Sequence, residues 1–176
     1  EMLRRHGCWG KSAHDKQVPA AVFTAPRQLV VRFLNRLFAT DGTAWVAPAG
    51  YARVGYATVS EQLSLDVMHL LLRFGIRARR RTRWVKYAGE RRRAFEVEIM
   101  DSASLRTFCA EIGILGKGAA VERVASRVAD SPTNQFTIDS VPREVWDDVI
   151  KAKGDRTWAS ISVAAGKPAN HNWHAY

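Results

Sequence analysis

Arginine occupies every second position from Arg77 through Arg79 and Arg81 to Arg83. On an extended strand these four share one face, because successive side chains alternate sides. A core cannot accept a row of like charges, so this face must meet water or an anion. Acidic residues are nearly absent from 76 to 89, which favours the anion. Further on, Phe95, Val97 and Ile99 are apolar at the same period and predict a strand whose other side faces helices. Lys86 and the turn residues Arg91 and Arg92 extend the basic zone, and Tyr51, Arg53 and Tyr56 are placed to join it.

The whole chain agrees with that local sign. Its formal net charge is +10 and its pI about 10.2. A basic globular domain most often binds nucleic acid, and less often an anionic membrane or an acidic protein. A two-stranded β-ribbon fits the major groove of B-DNA, so double-stranded DNA is the natural ligand. No apolar run approaches a membrane span, which argues against a membrane role. Cys8 and Cys109 make no disulfide framework and lack zinc-ligand spacing, so a reduced, cytoplasmic setting is expected.

The element order predicts an α+β fold with an antiparallel sheet. Pro26 starts a helix that runs to Asp41 and stops at Gly42. Residues 43–60 read as a hairpin around Pro48, Ala49 and Gly50. Ser60 caps a helix from Glu61 to Phe74, with Leu63, Val67, Leu70, Leu71 and Phe74 inward and Gly75 at its end. Strands at 76–87 and 93–100 follow, joined by Ala88, Gly89 and Glu90, then helices Ser102–Ile112 and Gly118–Val128. After residues 131–134 the character changes. Two short helices are expected, Pro142–Lys151 with Val145, Trp146 and Val149 inward, and Thr157–Ala165. Trp158, Ile161 and Gly166 resemble the start of a helix-turn-helix, but packing on the main domain is the plainer role.

Asp41 is the oddity of the first helix. It continues the face of Leu34, Leu37 and Phe38, and it sits at the C-terminus, where the macrodipole is already negative. Either a divalent cation joins it, or it is a solvated helix stop with Gly42 as a left-handed cap. Internal similarity bears on the choice. Gly7 to Ala13 matches Gly113 to Ala119 without a gap, and Val18-Pro19 is matched by Val141-Pro142. The offset of roughly 100 residues points to a duplicated unit, of which the chain holds the tail of one copy and all of another.

Leu34 to Gly42 resembles the nine-residue signature of the LAGLIDADG homing endonucleases. Lys16-Gln17-Val18-Pro19 is similar to the Lys-x-x-Pro block before the second signature of intein-borne members, and Leu70 to Ile76 to the block after it. The likeness spans roughly residues 3–128 and is strongest to endonuclease regions of inteins in bacterial replicative DNA helicases. It implies a truncated first repeat at 1–25, a LAGLIDADG repeat (α-β-β-α-β-β-α) at 26–130 and a helical extension at 131–176. It also implies a site-specific nuclease that cuts both strands of a long asymmetric DNA site. Asp41, with Gly42 beside it, then takes the Mg²⁺-binding place, and Lys11, Lys16 and Lys117 are candidate catalytic lysines. The residue matching Lys16 in the second copy is Asp139.

The departures shape what is expected. Asn35 and Arg36 stand where small residues normally let paired signature helices approach, and Ala39-Thr40 replace an inner Asp-Ala. An acidic partner for Asp41 falls outside this sequence, so cleavage requires the first repeat in cis or a second copy as a dimer. No splicing nucleophile stands at position 1, and Asn170-His171-Asn172 is followed by Trp173, so splicing is not expected. His171 and His174 read as part of a polar tail. The alternatives are a DNA-binding module without nuclease activity and an RNA-binding maturase.

Overall fold

The computed structural model describes residues 1, 4, 7, 9–87, 89–129 and 143–166. Cys8, Ala88, the 131–134 segment, Asp139, Val141, Pro142 and the tail with Asn170, His171, Asn172 and His174 lie outside them. The chain divides into two units, Glu1–Phe136 and Thr137–Tyr176.

In the first unit a short helix α1 (Ala20–Phe23) leads to α2 (Arg27–Asp41), which follows Pro26 directly. The ring of Pro26 fixes its own φ and needs no N–H there, which suits a helix start. Val30, Leu34 and Phe38 recur four apart and are fully buried, so they form the inward stripe of α2. β1 (Gly42–Val46) and β2 (Ala52–Thr58) form the expected hairpin, with Gly50 at φ 85° in the turn. Ser60 caps α3 (Glu61–Leu72) by accepting from Leu63 N–H at 3.1 Å. β3 (Arg79–Tyr87) and β4 (Glu90–Ile99) complete an antiparallel sheet of order β1-β2-β4-β3.

α4 (Ser102–Thr107) begins on the Asp101 cap and widens into π-helical turns over Phe108–Ile112 before Gly113. α5 (Gly118–Ala129) buries Val121, Val124 and Val128 and packs on β1 and β2. Phe38 stands at the centre of the core, touching Tyr56 and Phe108 with ring centroids 5.3 and 5.0 Å away. All the helices named in this packing lie on the sheet side that carries Val54, Tyr56, Val97 and Ile99. None of these helices covers the other side, which carries Arg79, Arg81 and Arg83.

Two strand limits differ from the sequence expectation. β3 begins at Arg79, not at residue 76, because Ile76 is buried and Arg77 N–H donates to Ser104 Oγ at 2.9 Å. β4 begins at Glu90 instead of 93, so the β3–β4 pair runs to the turn itself.

The second unit holds α6 (Arg143–Lys153) and α7 (Trp158–Ala164), joined through Gly154 at φ 55°. Thr157 caps α7 by accepting from Ser160 N–H at 3.1 Å, and Trp146 meets Trp158 edge-on. Val145, expected inward, is exposed. Among the described residues, no helix is long and apolar enough to cross a membrane.

Candidate nucleic-acid interface and active centre

The C-terminal end of α2 gathers three of the predicted site residues. Asp41 is exposed on the last turn. Lys117, at the start of α5, reaches back so that its Nζ donates to Gly42 O at 2.5 Å and to Phe38 O at 3.4 Å. Phe38 O also accepts from Gly42 N–H, and a cation at the carbonyls of a helix end is favoured both by hydrogen bonding and by the dipole.

Gly42 is not a left-handed cap. Its φ of −84° and ψ of 153° are extended, and glycine is needed for space. A Cβ there would lie 2.8 Å from both Cα and Cβ of Phe38. Tyr56 is also near Asp41, but it is only 2% exposed and packs on Phe38. It therefore belongs to the core and not to the basic surface, a correction to the sequence reading. Burial first, and the Asp41 charge second, push its hydroxyl up to about 12.

The other candidate lysines are elsewhere. Lys11 and Lys16 are exposed on the segment before α1. That segment is anchored at the start of α3, where Ser60 Oγ donates to Lys16 O at 2.5 Å and Val18 N–H donates to Asp66 at 2.8 Å. Among the described residues, neither ammonium is hydrogen-bonded or ion-paired to Asp41.

Asn35 has a role the sequence reading missed. Its Nδ2 donates to Ile112 O at 2.8 Å and its Oδ1 accepts from Arg36 at 2.5 Å. It tethers α2 to the turn before Lys117, and it turns Arg36 outward. The polar side chain in a small-residue position was the available signal.

The sheet's open side is less uniformly basic than the sequence suggested. Strand alternation places Arg79, Arg81 and Arg83 on the same side as Glu98, Glu96 and Ala94, their register partners on β4. Arg79 Nε donates to Glu98 at 2.9 Å, Arg83 pairs with Glu96 at 3.1 Å and Arg53 with Glu98 at 2.6 Å. Burial alone would raise the Glu98 carboxyl, but the hydrogen bonds and charges of Arg79 and Arg53 outweigh it and hold it below the usual range. Arg77 does not join this row, since it precedes β3 and pairs with Asp101 at 3.4 Å.

Lys86 pairs with Arg91 and both take the opposite parity, with Trp84 and Arg93, while Arg92 keeps the parity of Arg83. β2 pairs only with residues 95–99 of β4, so from 90 to 94 the β3–β4 hairpin continues as a two-stranded ribbon. Its exposed Trp84, Lys86, Arg91 and Arg92 make it basic on both faces.

With this geometry in view, residues 28–113 match the family described as LAGLIDADG-like domain. The segment contains both hairpins with α2, α3 and α4 in the order helix, two strands, helix, two strands, helix. Residues 28–113 are a LAGLIDADG-like domain. The chain is also similar to a replicative DNA helicase DnaB of Synechocystis, 33% identical over 81% of this chain. It is similar to that of Rhodothermus marinus, 32% identical over 86%, and to a DNA gyrase subunit of Mycobacterium kansasii, 35% identical over 65%. The aligned regions cover 16%, 16% and 20% of those proteins, so the chain spans about a fifth or less of each.

Helix α2 carries the stretch that resembles the LAGLIDADG signature, and it ends in Asp41. Whether the described residues suit a divalent cation is decided by their number. No group of three or more His, Cys, Asp or Glu is assembled among them, and the Gly42 carbonyl accepts from Lys117. Asp41 by itself does not form a metal site.

Proposed function

We propose that this chain is the DNA-recognising and DNA-cleaving region of an intein-borne LAGLIDADG homing endonuclease, with Asp41 as one of two shared carboxylates. The observation that carries the reading is that Lys117 reaches the end of α2, donating to Gly42 and Phe38 next to Asp41, in a unit whose sheet bears Arg79, Arg81 and Arg83 on the side away from its core. The relatives support an inserted element. One stretch of sequence recurs in proteins named as a gyrase subunit, a helicase and RecA, and it occupies 16–24% of each. A segment shared by proteins so different in name fits a mobile insert better than a working part of any one of them.

In this reading the arginine face and the ribbon hold a long duplex by its phosphates and lay α2's end against the backbone. Lys117 holds Gly42 and Phe38 and thereby sets the position of Asp41. The partner carboxylate comes from a second signature helix, in cis or in a second copy. A bound Mg²⁺ would supply polarisation of the phosphoryl oxygen and an activated water. Lys11 and Lys16 are exposed and, among the described residues, form no ion pair or hydrogen bond with Asp41, and in this reading they serve as phosphate contacts.

A DNA-binding module without cleavage is the second reading; it needs only the basic sheet side with Arg79, Arg81 and Arg83 and no second carboxylate. Asp41→Asn separates the two when tested on duplexes enriched from a random pool. For a nuclease, cleavage with Mg²⁺ is lost by a factor of about a thousand or more while binding persists. Cleavage that survives Asp41→Asn refutes the assigned centre. Affinity should fall steeply with salt, by about one power of concentration per phosphate contact. A flat dependence, or preference for structured RNA, refutes the duplex reading and favours a maturase.

A further inference from the structure

Three arginines from the strands flanking β4 converge on one carboxylate. Glu98 has a side chain with 0% exposure. Its Oε1 accepts from Arg53 at 2.6 Å, and its Oε2 accepts from Arg79 Nε at 2.9 Å and lies 3.7 Å from Arg81. A buried negative charge beneath a polyanion-binding face weakens attraction for phosphate. Its effect on geometry is the more informative one.

Arg79 uses only Nε on Glu98, and no other described residue bonds its terminal nitrogens. Its side chain is 55% exposed. A guanidinium held at Nε presents its two terminal N–H groups as a fixed fork, and that fork matches O6 and N7 of guanine in the major groove. A long side chain that is already oriented loses less rotamer freedom on binding. Arg53 is oriented too, by Glu98 on one side and by the Trp45 ring 5.1 Å from its guanidinium. It is half-buried, so Arg79 is the better placed to meet a base.

We propose that Glu98 is a positioning residue that holds Arg79 as a preformed reader of guanine, at the expense of general phosphate affinity. This rests on the duplex-binding reading above. It predicts that Glu98→Gln, which keeps the shape and removes the charge, binds random duplex as tightly as the wild type or tighter. Discrimination falls at the same time. A merely structural role would weaken both together.

The test uses the full chain and a random duplex pool. The wild type should enrich a guanine, and replacing it with 7-deazaguanine, which lacks the N7 acceptor, should weaken binding about tenfold. Glu98→Gln and Arg79→Ala should each reduce that penalty to about twofold or less. If Glu98→Gln fails to fold, Arg79→Ala carries the test, since Arg79 is exposed. An unchanged penalty in the folded variants, or a wild type that binds duplex but enriches no guanine, overturns the inference. A wild type that binds no duplex at all overturns the duplex reading first.

Discussion

Gly42→Ala tests why glycine follows the last turn of α2. The backbone at Gly42 is extended, so alanine adopts it without conformational strain. The obstacle is contact. The added methyl would stand 2.8 Å from Cα and Cβ of Phe38, against about 3.5–4.0 Å for relaxed carbon pairs. Phe38 cannot retreat, because the tilted rings of Tyr56 and Phe108 pack against it and it is fully buried. Overpacking costs about 1–3 kcal/mol, and a clash with backbone falls near about 3. The melting temperature should drop by roughly 6–12 °C, at about 2–4 °C per kcal/mol for a chain of this size. Gly42→Asn gives the decisive comparison. At a left-handed cap, asparagine is tolerated and alanine costs about 1 kcal/mol; in a close contact, asparagine carries the same Cβ and does at least as badly. A loss below about 1 kcal/mol for alanine, or a milder effect for asparagine, would refute the steric account.

Two further outcomes follow from the same end of α2. Tyr56 has a hydroxyl raised to about 12 from its ordinary value of 10.0, so its stabilising contribution is full below pH 10 and is lost as pH climbs towards 12. The loss should reach about 2–3 kcal/mol by urea unfolding, and Tyr56→Phe should flatten that part of the profile; a profile unchanged by the substitution contradicts the assignment. Lys117→Met keeps the side-chain stem but removes the donor to Gly42 and Phe38, and should lower stability by about 1–2 kcal/mol in thermal melts. Lys117→Arg should recover part of it, and no effect of Lys117→Met would mean the contact is idle.

Much of the scaffold was legible because it depends on local chemistry. Pro26, the Ser60 cap and the period-two apolar residues Phe95, Val97 and Ile99 each specify an element through their own neighbours. The limits of β3 were not legible, since Arg77 leaves the strand only because Ser104, 27 residues away, captures its N–H. The arginine row misled in one respect. Acidic residues are sparse along β3 itself, but Glu96 and Glu98 stand opposite on β4, and register alone brings them there. Tyr56 likewise looked like a surface partner of Arg53, yet the pleat turns it into the core against Phe38.

Residue type and period were enough to require that one sheet face be charged and that α2 end in an acid followed by glycine. Such properties survive any arrangement of the elements. Other features came only with the packed chain. Lys117 reaches the end of α2 while Lys11 and Lys16 do not, glycine is there for space, and one buried carboxylate organises three arginines. These facts rest on contacts between distant segments, which close packing defines to within about an ångström and periodicity leaves open.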